Sequence, residues 1–575
     1  MAKDYSQMDK EELLEEIKKL ESRKSYGLVW EDKPEDVVEQ CKTQIPILDE
    51  VSKRLIEEDI NKPNNLLIEG DNYHALSVLN YTHRQKIDAI YIDPPYNTGA
   101  RDWKYNNNYI DSNDAYRHSK WLSFMDKRLR LAKNLLKTTG IIVVTIDDYE
   151  IATLTLLMDE IFGQDNHLGT AVIKHNPSGR STVSGFSVNH EYALFYSLSS
   201  ASKIGRLPHS ERQISRYKEK DDNGYFEWEN FRKNGTDSNR EDRPKQFYPI
   251  VINLDTHKIR IPSIRWNVTK KSYDILEQIS DKETILLPIN KGIEKVWKYG
   301  LERTSEIINE LLVKSTKDGL ELYRKKYLNN IGSLPRTWWD KPEYSARDSG
   351  TRTLANVLGS AGNFDFPKAP KAVEDCIQVT NVPKDGIVLD FFSGSGTTGH
   401  AVLNLNQQDG GNRKFILCTN NENKIAEEVT YPRIEKVVKG YNDTEGIPSN
   451  LRYYKTDFVD VESVHNVSDQ KKVELTYKAG RMIALREDTL EEIEKDDWWQ
   501  IFTDKKGRMT AIYFKEDKEK LDELIKKINK ADIAALYIFS WGKNEYKNEY
   551  TEYKNIRVED IPEPILEVYK EINKK

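Results

Sequence analysis

Cysteine is nearly missing from this 575-residue chain, which carries three copies at Cys41, Cys376 and Cys418. Their spacings suit neither a disulfide framework nor a zinc site, and a reducing compartment, the cytoplasm, is the expectation. Long apolar runs are missing too. No uninterrupted stretch approaches the length of a membrane span, and the first residues, Met1 to Ile17, are charged where a signal peptide would be apolar. A strong imbalance of charge is the third absence. Lys and Arg number 87 against 94 Asp and Glu, a formal net of -7, whereas a dedicated nucleic-acid binder is often strongly basic, so any such surface must be local. The ten histidines form no His-Glu-x-x-His or other paired metal-ligand spacing, and no metal is expected. What is present, 38% hydrophobic and 31% charged residues, suits a globular chain with a large hydrated surface. Its length exceeds what one core fills, so roughly three to four folded units are expected.

Residues 1–63 read as an N-terminal helical region. A helix capped at Asp9, with Glu12 three residues on, carries Leu13, Leu14, Ile17 and Leu20 on one stripe, for docking, dimerisation or packing on its own domain. From residue 64 to 200, short β-rich runs alternate with helical segments, the pattern of a parallel sheet covered by helices. Asn65 to Ile68 and Ile87 to Ile92 read as strands, Trp121 to Leu136 as a helix with apolar residues at helical spacing, and Ile141 to Ile146 as the next strand. The alternation fades over 201–345, an apparent inserted domain of polar, aromatic and basic sequence, and resumes over 346–464. There the strand Ile387 to Asp390 leads through a glycine-rich turn to a helix near Thr398 and the strand Phe415 to Cys418. Residues 465–575 read as a small α+β domain. Trp498 to Phe514 forms a hairpin turning at Lys506-Gly507, a helix carries Leu521, Leu524, Ile525 and Ile528, and Ala531 to Trp541 is the closing strand. No internal repeat interrupts this order.

Two motifs carry chemistry. Asp93-Pro94-Pro95-Tyr96 follows a strand, at the carboxyl end where open α/β sheets collect ligand-handling residues. The Asp93 carboxylate and the Pro94 carbonyl are acceptors, Pro94 and Pro95 stiffen the turn and free its carbonyls from helix pairing, and Tyr96 offers a ring for stacking. A rigid turn with a capping Asp and a core Tyr is the other reading of the tetrapeptide alone. The second motif, Asp390-Phe391-Phe392-Ser393-Gly394-Ser395-Gly396-Thr397-Thr398-Gly399, lies between a strand and a helix. There glycines admit close approach of a ligand and the helix N-terminus favours negative charge. Gly394, Gly396 and Gly399 also satisfy a dinucleotide fingerprint, with Glu422 placed to hold ribose hydroxyls, so a nicotinamide-dependent oxidoreductase is a rival. A phosphate-binding ATPase loop fits less well, since His400 and Ala401 stand where it needs Lys and Ser or Thr.

Together the motifs resemble those of the amino-methyltransferases of the permuted beta class, where the catalytic motif precedes the cofactor loop and a target recognition domain lies between. The resemblance spans roughly residues 25 to 460 and narrows to the modification subunits of type III restriction systems and their solitary relatives. It includes Tyr26 to Glu31, Gly70-Asp71-Asn72, Asp93 to Gly99, Phe364 to Lys368 and Tyr431 to Ile434. It implies a Rossmann-like class I methyltransferase sheet, circularly permuted, with an inserted target recognition domain. It implies S-adenosylmethionine as cofactor, double-stranded DNA as substrate, adenine N6 as acceptor with base flipping, a homodimer, and an ATP-dependent restriction subunit as a partner. By the same resemblance Asp93, Pro94, Pro95 and Tyr96 handle the flipped adenine. Asp390, Phe392, Gly394, Gly396 and Thr397 form the cofactor loop, Glu422 binds the ribose, Asp71 the cofactor's adenine amine, and Phe366 and Lys368 the methionine carboxylate.

An adenine amine is a poor nucleophile, its lone pair delocalised into the ring, so acceptors must aim it. The sulfonium is already activated, and positioning with electrostatics suffices without a covalent enzyme intermediate. A cytosine C5 enzyme would need a nucleophilic cysteine, usually after proline, and Cys41, Cys376 and Cys418 follow Gln, Asp and Leu. Asp in the first motif position favours adenine over cytosine N4. N4-cytosine and RNA amino-methylation stay open at this point. In the insert, Arg232, Lys233, Arg240, Arg243 and Lys245, interleaved with Phe231 and Phe247, suit phosphate contacts and groove insertion, or a solvated charged loop. Trp338-Trp339 reads as core rather than a base wedge.

Overall fold

The structure, a computed structural model, describes residue 13 and residues 30–574 except 107, 112, 180–184, 318, 330, 361–363, 543, 544 and 547. Apart from Leu13, the N-terminal stripe read from the sequence lies outside the described residues. The chain forms two units: Met1–Leu207 with Leu334–Lys575, and Pro208–Ser333.

The first unit is built on a mixed sheet of eleven strands among the described residues. In chain order its main elements are β1 (Gln44–Glu50), β2 (Asn64–Glu69), α1 (Asn72–Thr82), β3 (Ile87–Ile92), α2 (Arg117–Leu135), β4 (Leu136–Ile146), α3 (Ile151–Phe162), β5 (His167–Ile173) and β6 (Glu191–Ser197). After the second unit come β7 (Trp338–Trp339), α4 (Pro370–Val379), β8 (Ile387–Asp390), α5 (Thr397–Asp409), β9 (Lys414–Thr419), α6 (Tyr431–Lys439) and β10 (Asn450–Asp460). The strand order is β1-β10-β2-β9-β8-β3-β4-β6-β5-β7. Strands β10 through β4 run parallel, while β6 lies antiparallel between β4 and β5.

The central strands are apolar along their whole length because helices cover both faces. All six residues of β3 are buried. Their alternation divides two cores: Ile90 and Ile92 join Ile142 and Val144 under α1, α2 and α3, while Ala89 and Tyr91 join Ile141 and Val143 under α4, α5 and α6. Trp339 belongs to the second core, as the sequence suggested, while Trp338 is about half exposed.

The strand order reverses between β8 and β3. From β8 the chain steps through α5 to β9, and from β3 through α2 to β4 on the other side. Such a switch point opens a crevice at the carboxyl ends of the two strands.

The remainder of this unit is a five-stranded sheet with helices, comprising α7 (Asp469–Lys478), α8 (Gly480–Glu487), β11 (Glu491–Lys495), β12 (Trp499–Thr503), β13 (Arg508–Tyr513), α9 (Leu521–Ile528), β14 (Ile533–Phe539), β15 (Ile556–Ile561) and α10 (Glu563–Ile572). The hairpin of β12 and β13 matches expectation. The strand read as closing the domain does not close it: β14 pairs in parallel with β13 and with β15 beyond it. Tyr569 of α10, buried, donates to the Pro46 carbonyl of β1 and ties this sheet to the large one.

The second unit holds a four-stranded antiparallel sheet (Glu219–Asp221, Gly224–Asn230, Gly319–Tyr327 and Leu311–Thr316) and a three-stranded one (Ile259–Arg260, Ile250–Asn253 and Glu283–Leu286). Its core gathers Phe231, Tyr248, Ile250 and Trp297. Phe231 stacks on Trp297 at 5.5 Å and Phe247 is buried, so neither ring is presented for groove insertion. Arg232 pairs with Glu321 at 2.8 Å and Arg240 with Glu294 at 2.9 Å.

Candidate active site

Strands β3 and β8 pair in register through Ala89 with Val388 and Ile90 with Leu389. The Asp93-Pro94-Pro95-Tyr96 turn and the Asp390 to Gly399 loop therefore leave the sheet side by side, at the crevice, though some 300 residues separate them in sequence.

One oxygen of Asp93 is surrounded by donors. The Thr145 hydroxyl at the end of β4 donates to Oδ1 at 2.7 Å, the Tyr96 hydroxyl at 2.9 Å, and the Lys368 ammonium lies 3.2 Å away. The same ammonium lies 2.6 Å from Glu191, the first residue of β6, and donates to the Tyr96 hydroxyl. Tyr96 in turn reaches Glu191 at 3.0 Å. Burial opposes the charge on Lys368, but Asp93 and Glu191 together outweigh it and raise its pKa. Burial likewise opposes ionisation of Glu191, yet Lys368 and His175 bring its pKa below the usual carboxylate value. On the other side of the turn, the Trp121 indole donates to the Pro95 carbonyl at 2.7 Å. The Pro94 carbonyl has no such donor among the described residues.

The loop after β8 is braced from within. Asp390 accepts the Phe392 N–H at 2.9 Å and the Thr398 hydroxyl at 2.5 Å. Burial raises its pKa to about 7 against both hydrogen bonds, and the charge of Asp93 adds to the rise. Gly394 and Gly396 have φ of +46° and +78°, a region L side chains rarely adopt. A Cβ on Gly394 would stand 2.9 Å from the Phe364 ring. Behind the loop the buried Arg433 guanidinium donates to the Thr397 hydroxyl at 2.8 Å and the Ser395 hydroxyl at 3.0 Å.

A second buried arginine ties the halves together. Arg128 of α2 grips Glu35 with both terminal nitrogens, at 2.6 and 3.1 Å, and approaches Asp71 at 3.4 Å. Its Nε donates to Asn72, whose amide donates to the Phe391 carbonyl at 3.1 Å. Asp71 also caps α1 by accepting the Tyr73 N–H at 2.7 Å. Glu422, just past β9, pairs with Lys104 at 2.5 Å and meets the Tyr109 hydroxyl at 3.4 Å.

Most of the sequence-derived residues thus fall into two adjoining groups, with Asp71, Phe366 and Glu422 belonging to neither. Asp93, Tyr96 and Lys368 meet in one cluster, and Phe392, Gly394, Gly396 and Thr397 line the neighbouring loop, with Asp390 folded beneath it. Lys368 faces the Asp93 cluster, whereas Phe366, two residues before it, is 83% exposed with φ of +57°. Glu191, Thr145, Arg128 and Arg433 were not singled out from the sequence. Glu191 is an acid opening an otherwise apolar strand, and Arg128 interrupts the buried stripe of Met125, Leu129 and Ala132. Each breaks the burial pattern at one point, the signal that marks a paired internal charge.

Comparison with known proteins gives this geometry its chemistry. A family model described as DNA methylase matches residues 87–430, a span that runs from β3 through both motifs. The chain belongs to the N6/N4 DNA methylase family. This methyltransferase is 31% identical over 510 residues to the type III restriction-modification enzyme EcoPI Mod subunit of Escherichia phage P1, covering 81% of this chain and 75% of that one. It is 35% identical over 396 residues to the type II methyltransferase M.KpnI of Klebsiella pneumoniae, covering 68% and 88%. Among solved structures, the cytosine-N4-specific PvuII DNA methyltransferase aligns at 14% identity with a TM-score of 0.33, over 68% of this chain and 92% of that chain. No helix among the described residues is long and apolar enough to cross a membrane.

Proposed function

We propose that this methyltransferase moves a methyl group from S-adenosylmethionine to N6 of an adenine flipped out of double-stranded DNA, as the modification and recognition subunit of a type III restriction system. The reading rests chiefly on one observation: Asp93 and Pro94 emerge beside the glycine loop from adjacent parallel strands. The residues present fit the cofactor. Gly394 and Gly396 give the loop a positive-φ backbone that L side chains rarely adopt and that carries the main chain into the N-terminus of α5, and Glu422 lies just past the end of the next strand, at the place where ribose hydroxyls are held.

When bound, the cofactor supplies a methyl group already activated by its sulfonium, and the chain's own residues orient the acceptor. Three donors on Oδ1 fix the Asp93 carboxylate, leaving its other oxygen and the Pro94 carbonyl to accept the two N–H groups of the amine. Pulling both hydrogens toward these acceptors turns the nitrogen lone pair toward the methyl carbon. The Tyr96 ring, held through its hydroxyl, is the stacking surface for the extruded base. After transfer the nitrogen sheds its surplus proton along the hydrogen bond that Asp93 already accepts. The unit Pro208–Ser333 serves as the target recognition domain, and a second copy of the chain and an ATP-dependent restriction subunit are the partners in the cytoplasm.

Transfer of labelled methyl to DNA tests the reading. Asp93→Ala is expected to lower the rate by about 10²–10³-fold or more, with cofactor binding by calorimetry retained. Full transfer by the variant overturns the assignment of Asp93. Label found on N4 of cytosine or on RNA replaces the substrate, and binding of NAD in place of S-adenosylmethionine replaces the reaction.

A further inference from the structure

The proposed chemistry uses Asp93, Pro94 and Tyr96 and leaves one group of the cluster without a task. Glu191 is 3% exposed, stands at the mouth of β6, and holds two members of the catalytic turn and its surroundings at once: Lys368 at 2.6 Å and Tyr96 at 3.0 Å. A buried carboxylate is kept only where its partners compensate its desolvation, and here, besides the favourable charge of His175, the two groups that it touches belong to the site.

We propose that Glu191 is a positioning residue for methyl transfer, dividing the Lys368 ammonium with Asp93 so that the outer oxygen of Asp93 stays open to the substrate amine. Lys368 has three N–H donors and meets three acceptors, the Asp93 oxygen, the Glu191 oxygen and the Tyr96 hydroxyl. With Glu191 neutral, Asp93 is the carboxylate left to face that ammonium within the cluster. The cation then moves onto Asp93 and takes the oxygen that the adenine amine requires. The role is one of geometry, exercised through Lys368, and Glu191 itself touches no reacting atom. This inference rests on the methyl-transfer reading.

The test is a double-mutant cycle in the full-length protein, read as the single-turnover methylation rate at saturating S-adenosylmethionine and DNA. Glu191→Gln keeps the size and loses the charge, and the rate is expected to fall about 10²-fold, the scale of a misplaced reacting group, while KM for DNA changes little. Lys368→Met removes the ammonium, and in the pair E191Q/K368M the second change is expected to cost nothing further, because the cation that Glu191 restrains is gone. Independent losses that multiply in the double variant overturn the proposal, as does an E191Q rate equal to that of the native protein. Where E191Q does not fold, Glu191→Asp retains the charge but withdraws it by one methylene. A tenfold or larger loss of rate with cofactor binding retained then supports the proposal, and a native rate defeats it. Asp93→Ala run alongside separates the two claims: an inactive Asp93→Ala beside an unimpaired E191Q leaves methyl transfer standing and removes only the role of Glu191.

Discussion

Asp390 shows how one side chain can be spent on holding a loop and leave a signature in solution. Folding moves its carboxyl from 3.8 to about 7 by burying it. Between those values the native protein holds a proton that the unfolded chain has released, so stability from this group is full below pH 4 and is lost as the pH rises toward 7. Asp390→Asn is expected to flatten the decline, and urea denaturation at pH 5 and at pH 7.5 measures it; an unchanged difference between the two would refute the account. Asp93, Tyr96 and the glycines of the loop were legible in the sequence because their chemistry is local: a short run of residues fixes its own backbone. Glu191 and Thr145 were not, because each acts through neighbours some 50 to 180 residues away, and no spacing rule connects an acid at the head of one strand to a lysine before a helix. Lys368 was read from its motif as a cofactor residue, and its raised pKa reflects two carboxylates that only the assembled sheet supplies.

Helix α2 carries the equivalent lesson for an element. Its apolar stripe announces the helix, and Arg128, set inside that stripe, is fully buried between Glu35, Asp71 and the Phe124 ring, 3.7 Å away. Arg128→Met leaves two carboxylates without their counter-charge, and the loss of stability is expected to be about 3–5 kcal/mol, measured by chemical denaturation. An effect below about 1 kcal/mol, the range of surface pairs, would show the network to be dispensable. Five of the eleven strands of the large sheet, β2, β3, β4, β8 and β9, were readable in the same way, since continuous apolar runs between turn signals mark strands covered on both faces. Strand β15 escaped because Ile556–Ile561 has neither a continuous apolar run nor strict alternation, Glu559 and Asp560 being adjacent, and parallel pairing with β14 gives no hairpin turn to reveal it.

For the molecule as a whole, the second unit is closed on itself: His209 meets the Asn329 carbonyl at 2.9 Å, so the two ends of the insert lie side by side. Replacing residues 208–333 by a short flexible linker is expected to leave a folded protein that binds S-adenosylmethionine by calorimetry and has lost sequence-selective methylation. Selective transfer by the shortened chain would move recognition out of this unit.

The order of strands across the large sheet has a further bearing on how the protein is made. Between β2 and β3, which leave the ribosome early, stand β9 and β8, translated some 300 residues later. A nascent chain that has emerged as far as Ser197 owns both flanks of the sheet's middle and neither of the strands that join them. It must wait, with apolar edges unpaired, until the polypeptide is three-quarters synthesised, and pairings of such long separation form slowly. Translation of the insert Pro208–Ser333 is therefore the interval in which the earlier half is made but still unable to close.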